Sequence, residues 1–226
     1  MNRDVQDTTL ALVGGTVLAV GISDVHLRYV KPGMQWLLIV AGALLLVIGL
    51  RDVSRRREGE PEHPAPRTAW LLMLPVLVMA LVTPGALGSF SADRSPSRPP
   101  PLTDGFPALR ADRDGAVDLS LSSFTARVAY AQNSLAGRRV RLVGFVSPQD
   151  QGWAITRVQL SCCAADGRPI RVRALGDRAQ AAPERDTWVE VVGTAGALQG
   201  GDGGEVTAGL EIEQMTAVDA PARPYE

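Results

Sequence analysis

Apolar residues in this 226-residue chain follow two different patterns. Before position 90 they form long unbroken runs, and after position 114 they alternate with polar residues. Three runs stand out. The first, 8–25 (TTLALVGGTVLAVGISDV), is weakly apolar, rich in Gly and limited by Asp24. The second, 34–50 (MQWLLIVAGALLLVIGL), and the third, 69–90 (AWLLMLPVLVMALVTPGALGSF), carry no charge. A bilayer core takes roughly 20 apolar residues and accepts about 17. A helix buried in a soluble protein keeps a polar face, which the second and third runs lack. The pattern predicts three membrane helices, with Pro75 and Pro84 tolerated inside the third. A cleaved signal peptide is the other reading of the first run. Asp4 and Asp7 dilute the charge of Arg3, and no small-x-small site follows it. Gly14, Gly15, Gly21 and Gly42 are candidates for close helix approach.

Beyond the runs, 91–116 is rich in Pro and Ser (SADRSPSRPPPLTDGFP over 91–107) and predicts an extended linker that holds the next domain off the membrane. From 117 to 220 the periodicity is that of a globular domain, followed by a short tail, 221–226. Leu119 to Leu121 is a short extended lead-in. Ser122 or Ser123 caps a helix reaching Leu135, with Phe124, Val128, Ala131 and Leu135 on one face and Gly137 ending it. Five strands follow, at 139–147, 153–162, 169–175, 187–194 and 205–218, with a Gly-rich hairpin turn over 200–204. In the second strand Trp153 and Ile155 hold one phase, and Val158, Leu160 and Cys162 hold the other. A bulge near Thr156-Arg157 reconciles them. The expected fold is mostly β: an OB-like five-stranded barrel preceded by one helix, with a β-sandwich as the alternative.

Charge sets the orientation. The loop 51–67 carries Arg51, Arg55, Arg56, Arg57 and Arg67, whereas 23–33 carries only Arg28 and Lys31. Positive loops stay cytoplasmic. The expectation is therefore a multi-pass plasma-membrane protein with its N-terminus inside and its β domain outside. The total charge of −1 and the scattered basic residues exclude a nucleic-acid footprint.

Candidate chemistry is sparse. Cys162 and Cys163 are adjacent, so together they close no loop. If Leu160 faces the core, Cys162 does too, and Cys163 faces out. Three readings stay open: a structural pair, a soft-metal site for Cu(I) or Zn(II) completed by Asp166 or a partner, and a redox-labile pair. None of them makes a cofactor obligatory. The domain after position 116 has no histidine, which counts against a zinc site and a catalytic triad alike. No enzyme is expected. His26 lies in the outer loop near Asp24, as a solvated residue or part of a metal path. His63 lies among prolines and glutamates in the cytoplasmic loop and has no expected role. Asp112-Arg113-Asp114-Gly115 matches a calcium loop only in its first ligands. Arg139, Arg141, Arg171 and Arg173 share one strand face, either solvated or docking an acidic partner.

Several short stretches resemble the YcgQ-like permease-subunit family of bacterial membrane proteins. They are Tyr29-Val30-Lys31-Pro32-Gly33-Met34, Pro84-Gly85-Ala86-Leu87-Gly88-Ser89, Gly144-Phe145-Val146, Cys162-Cys163-Ala164-Ala165-Asp166, Asp186-Thr187-Trp188-Val189 and Pro224-Tyr225-Glu226. The resemblance implies an accessory subunit in the bilayer beside a separate multi-spanning permease of a metal or other solute export system. A membrane-tethered metal-binding or thiol-redox module acting without a permease is the alternative.

Overall fold

The computed structural model describes residues 3–55, 74, 78, 85–97, 105–150, 152–200 and 206–226. The chain forms two units, Met1–Ala86 and Leu87–Glu226.

In the first unit, helices α1 (Arg3–Ile22) and α2 (Gln35–Arg55) form an antiparallel hairpin joined by two 3-10 turns, Asp24–Arg28 and Pro32–Met34. Their backbones touch where the sequence supplies glycine. A Cβ on Gly42 would lie 2.6 Å from the Leu18 amide nitrogen, and one on Gly14 would lie 2.5 Å from that of Leu46. Gly15 faces open space and has no such role. Gln35 ties the helices at their connected ends by donating to the Gly21 carbonyl at 3.0 Å.

Among the described residues one helical stretch, Pro32–Arg51, is long and apolar enough to cross a membrane, and it is almost wholly unburied. Trp36, Val40, Leu44 and Ile48, spaced a turn apart, are exposed along α2. The apolar part of α1, Asp7–Ile22, is shorter. The third run lies outside the described residues except for Leu74, Val78 and 85–90. His63 lies outside them as well. His26 is not solvated. It is buried in its turn, with Nδ1 2.5 Å from the Ser23 carbonyl oxygen, within hydrogen-bond reach.

The second unit is a closed five-stranded barrel. Strands β2 (Arg139–Pro148), β3 (Trp153–Gln159), β4 (Arg168–Leu175), β5 (Trp188–Gly200) and β6 (Val206–Ala217) run in the spatial order β2-β3-β4-β6-β5 and back to β2. All pairings in the ring are antiparallel except β4–β6. This closure excludes the sandwich. A short strand, β1 (Ala116–Asp118), which the sequence reading passed over, pairs in parallel with the start of β2.

Two short helices belong to this unit, α3 (Ser89–Ala92) and α4 (Leu121–Tyr130). Helix α4 is capped by Ser120, not Ser122 or Ser123. The Ser120 hydroxyl accepts from the Ser123 amide at 3.1 Å. The helix also stops earlier than expected, and Leu135 reaches the core from beyond a further 3-10 turn, Gln132–Ser134. Leu121, Phe124 and Val128 join the inward residues of the barrel, among them Leu142, Trp153, Ile155, Val172 and Leu210, in one core.

No bulge reconciles the two phases of β3. Its register against β4 is continuous from Ala154↔Arg173 to Gln159↔Arg168. Both faces of the strand are covered instead. Trp153 and Ile155 fill the barrel, while Val158 joins Leu160, Phe145 and Ala92 in a second cluster with Leu87, Trp188 and Tyr225 packed against it. Strand β3 also ends at Gln159, short of the cysteines.

What covers that second face is the segment 87–97. The Leu87 amide donates to the Tyr225 hydroxyl at 2.8 Å, and the Ser89 amide donates to Asp186 Oδ1 at 2.7 Å. The buried Arg171 guanidinium donates to the carbonyls of Ala92 and Ser95, and Arg185 pairs with Asp93 at 2.9 Å. The first residues of the expected stalk are therefore bound to the barrel. They are held by the unmet hydrogen-bonding capacity of buried groups, each costly to leave unpaired.

Candidate functional site

The chain leaves β3 at Gln159 and turns through Ser161, Cys162 and Cys163 into a 3-10 turn, Ala164–Asp166, before β4 begins. The carboxylate of Asp166 organises this turn. It accepts from the amides of Ser161 and Cys162, both at 2.8 Å, and of Cys163 at 3.3 Å. The Cys163 side chain in turn accepts from the Asp166 amide, a reciprocal cap of a kind usually built by Ser and Glu. These bonds peel the two cysteines out of the alternating geometry of a strand. Both thiols therefore end on the same side of the turn, with their sulfurs 3.6 Å apart.

Cys162 is exposed and Cys163 half-buried, the reverse of the placement expected from strand alternation. The reason is that alternation has ended three residues earlier. Both are free thiols. One Asp166 oxygen and the two sulfurs all lie within 4.8 Å of one another. The hydrogen bond with Cys162, followed by the backbone amides, pulls the Asp166 carboxyl down to about 2. The same carboxylate, with Cys163 next, pushes the Cys162 thiol up to about 11. At neutral pH the site holds one fixed negative charge beside a protonated thiol.

The geometry suits a shared soft ion. With metal–sulfur bonds of about 2.3 Å, sulfurs 3.6 Å apart subtend about 100° at that ion, close to tetrahedral. A linear two-sulfur site needs them about 4.6 Å apart. Cys162, Cys163 and Asp166 offer three ligands, so a four-coordinate ion keeps one position for solvent, cargo exchange or a partner's side chain.

The four arginines do not form one free docking face. Arg141 is enclosed by carboxylates: it bonds Asp112, and its nitrogens lie 3.0 Å from Asp118, 3.4 Å from Asp114 and 3.4 Å from Glu190. Arg139 pairs with Glu213 at 2.8 Å. Arg171 is buried beneath 87–97, and Arg173 is half-buried and also engaged. The Asp112–Gly115 loop is likewise no calcium site. Asp112 Oδ1 accepts from the amides of Asp114 and Ala116, while its other oxygen meets Arg141, whose cation takes the place a metal would need.

Sequence reasoning quoted Asp186, Tyr225 and Glu226 only as parts of a resemblance, without roles. Asp186 adopts a positive φ of 63°, strained for a residue with a side chain, and thereby reaches Ser89. Tyr225 lies in a bridge beside Val158, and Glu226 reaches the first turn of α4. The only signal in the sequence was their position within distinctive short motifs.

No curated protein and no solved structure matches this chain. Residues 121–226, which contain α4 and the whole closed barrel, match the family model of the DUF1980 C-terminal domain, consistent with the YcgQ-like resemblance.

Proposed function

We propose that this chain is a membrane-anchored accessory subunit of an export permease, and that its barrel carries Cys162, Cys163 and Asp166 as a docking point for a soft divalent cation in transit. The single observation that carries the reading is the turn itself: two thiols 3.6 Å apart and a carboxylate, all within 4.8 Å, at an exposed edge. Thiolate ligands select soft ions such as Zn(II) and Cu(I). The near-tetrahedral sulfur spacing favours Zn(II)-like ions over linear Cu(I). Three ligands with one open position bind and also release, as a carrier needs and a closed structural site does not.

The remaining parts fit this role. The barrel's order, with β4 and β6 parallel, is that of an OB-like fold, a scaffold that carries function on its connecting loops. The apolar α2, the uncharged third run and the arginines of 51–67 support a multi-pass anchor with the barrel outside the cytoplasm. An accessory role needs a multi-spanning partner, because two or three helices enclose no transport path of their own.

A tethered thiol-redox module is the competing reading. Thiol–disulfide exchange proceeds through the thiolate, and Asp166 works against it by pushing Cys162 up to about 11. A metal ion must displace the same proton, but the Asp166 charge that raises the thiol also attracts the cation and offers it a ligand, a gain that thiol exchange lacks.

The test is Zn(II) titration against a competing chelator, using the full chain in detergent and a Cys162→Ser/Cys163→Ser variant, followed by co-purification from membranes. Saturable binding of one ion, lost in the variant, together with a co-purifying multi-spanning protein supports the reading. Equal binding by both forms removes its basis.

A further inference from the structure

The turn that carries Cys162, Cys163 and Asp166 packs its inner side closely against the Leu87 and Val158 side chains. The residue after Asp166 is Gly167, and a Cβ there would fall 2.8 Å from Leu87 Cδ1 and 2.9 Å from Val158 Cγ1. Glycine lets the turn approach the segment 87–97 this closely, and a larger residue would push the Leu87 and Val158 side chains aside. Leu87 is also the first anchor of that segment: its amide donates to the Tyr225 hydroxyl, and Tyr225 is bridged to Val158 on β3. Two residues on, Ser89 is fully buried and its amide is held by Asp186, itself in a strained backbone conformation.

The segment is thus a strap laid over the outer face of β2, β3 and β4. Beneath it Ala154, Thr156 and Ser147 are wholly buried, and Arg171 is satisfied by strap carbonyls. Outer strand faces and loops are where OB-like barrels hold extended ligands. Here the chain's own residues occupy the face, so this barrel spends its groove on an internal contact. The strap continues in sequence from the third apolar run.

We infer that ion capture at Cys162, Cys163 and Asp166 is transmitted through the Gly167–Leu87 contact and fastens the 87–97 strap to the barrel. The inference rests on the metal-binding reading above and adds what binding does. An ion drawn between two thiolates and Asp166 replaces a loose thiol pair with a rigid chelate. The Asp166–Gly167 corner then loses its freedom to swing. Because the corner is in van der Waals contact with Leu87, fixing it removes the path by which the strap's first residue lifts. A device of this kind makes occupancy legible to whatever holds the third apolar run.

Amide exchange reads this directly. The Leu87 and Ser89 amides are held by side-chain acceptors, so they exchange only when the strap lifts. The full chain in detergent is compared with and without saturating Zn(II), with bound ion counted in the same samples. The expected result is exchange over 87–93 slowed by about tenfold with Zn(II), no slowing in Cys162→Ser/Cys163→Ser, and no slowing in Leu87→Ala although it binds the ion. Leu87→Met, which restores the contact, regains the response. If Zn(II) binds one per chain and exchange over 87–93 stays unchanged, the coupling is wrong while the binding site stands. If Zn(II) does not bind the full chain, the site and the coupling fall together.

Discussion

Glu226 reaches across the barrel to cap the helix that begins at Leu121: its Oε1 accepts from the Leu121 amide at 2.8 Å, and Oε2 accepts from Ser122 at 2.9 Å. A carboxylate here satisfies two of the donors that every helix leaves open at its start, and it also meets the positive end of the helix dipole. The side chain of Glu226 is largely buried, with 9% exposed, so no solvent can replace it cheaply. Glu226→Gln keeps one acceptor and loses the charge. It should lower stability by about 1–2 kcal/mol, read as a shift in the denaturant midpoint at constant slope. An unchanged midpoint would show that water caps the helix equally well.

The strap gives a second, larger effect. Arg171→Ala removes the guanidinium from two strap carbonyls, that of Ala92, which keeps only the Ser95 amide, and the half-buried one of Ser95. Losing hydrogen bonds from a charged donor to such carbonyls costs about 1–3 kcal/mol in all. The variant should show both a lower melting temperature and new protease cleavage within 87–97. Melting that falls without new cleavage would mean that Arg171 supports the barrel rather than the strap.

The helical hairpin makes a contrast within one sequence. Gly42 touches the Leu18 backbone, whereas Gly15 touches nothing. Gly42→Val should therefore separate α1 from α2 and lower the detergent melting temperature clearly, while Gly15→Val should leave it in place. Equal effects from the two would contradict the observed helix faces.

The cysteine turn sets the response to pH at both ends. Asp166 is pulled down to about 2 in the folded chain, so the stabilisation it provides is complete above the unfolded carboxyl range. It disappears only as pH falls through about 2. Cys162 is pushed up from 9.0 to about 11, so its contribution is complete below 9.0 and is lost as pH rises toward 11. Ion binding follows the opposite slope to that alkaline loss. Each thiol proton displaced strengthens apparent Zn(II) affinity by about tenfold per pH unit below the thiol range. Competition titrations between pH 6 and 8, about neutrality, should show this rise. A pH-independent affinity would mean that the cysteines are not the ligands.

Much of this was legible in the sequence, and the residues show why. Val140 and Leu142 against Arg139 and Arg141 gave β2 its face correctly, because one side of that strand meets the core and the other meets charge. The same rule failed on β3. Val158 and Leu160 are buried on the outer face by 87–97, a segment distant in the chain and rich in residues that read as linker. Single-strand periodicity cannot distinguish a bulge from a second covered face. The four arginines were misread for a related reason. Arg171 looks solvent-bound from its neighbours, yet the strap carbonyls that bury it come from more than seventy positions away. At the candidate site, the residue types Cys162, Cys163 and Asp166 were visible. Their exchange of exposure was not, because it depends on β3 ending at Gln159, which the apolar residues Leu160 and Cys162 disguised.

Co(II) reports on whether the two thiols and Asp166 share one ion. Titrated into the reduced full chain in detergent, Co(II) should produce an intense sulfur-to-metal charge-transfer band with the visible bands of a tetrahedral ion, saturating at one per chain and bleaching on addition of Zn(II). Both features should vanish in Cys162→Ser/Cys163→Ser. A wild-type spectrum with no thiolate band, or one that the double variant reproduces, would mean that the cysteines and Asp166 hold no shared ion.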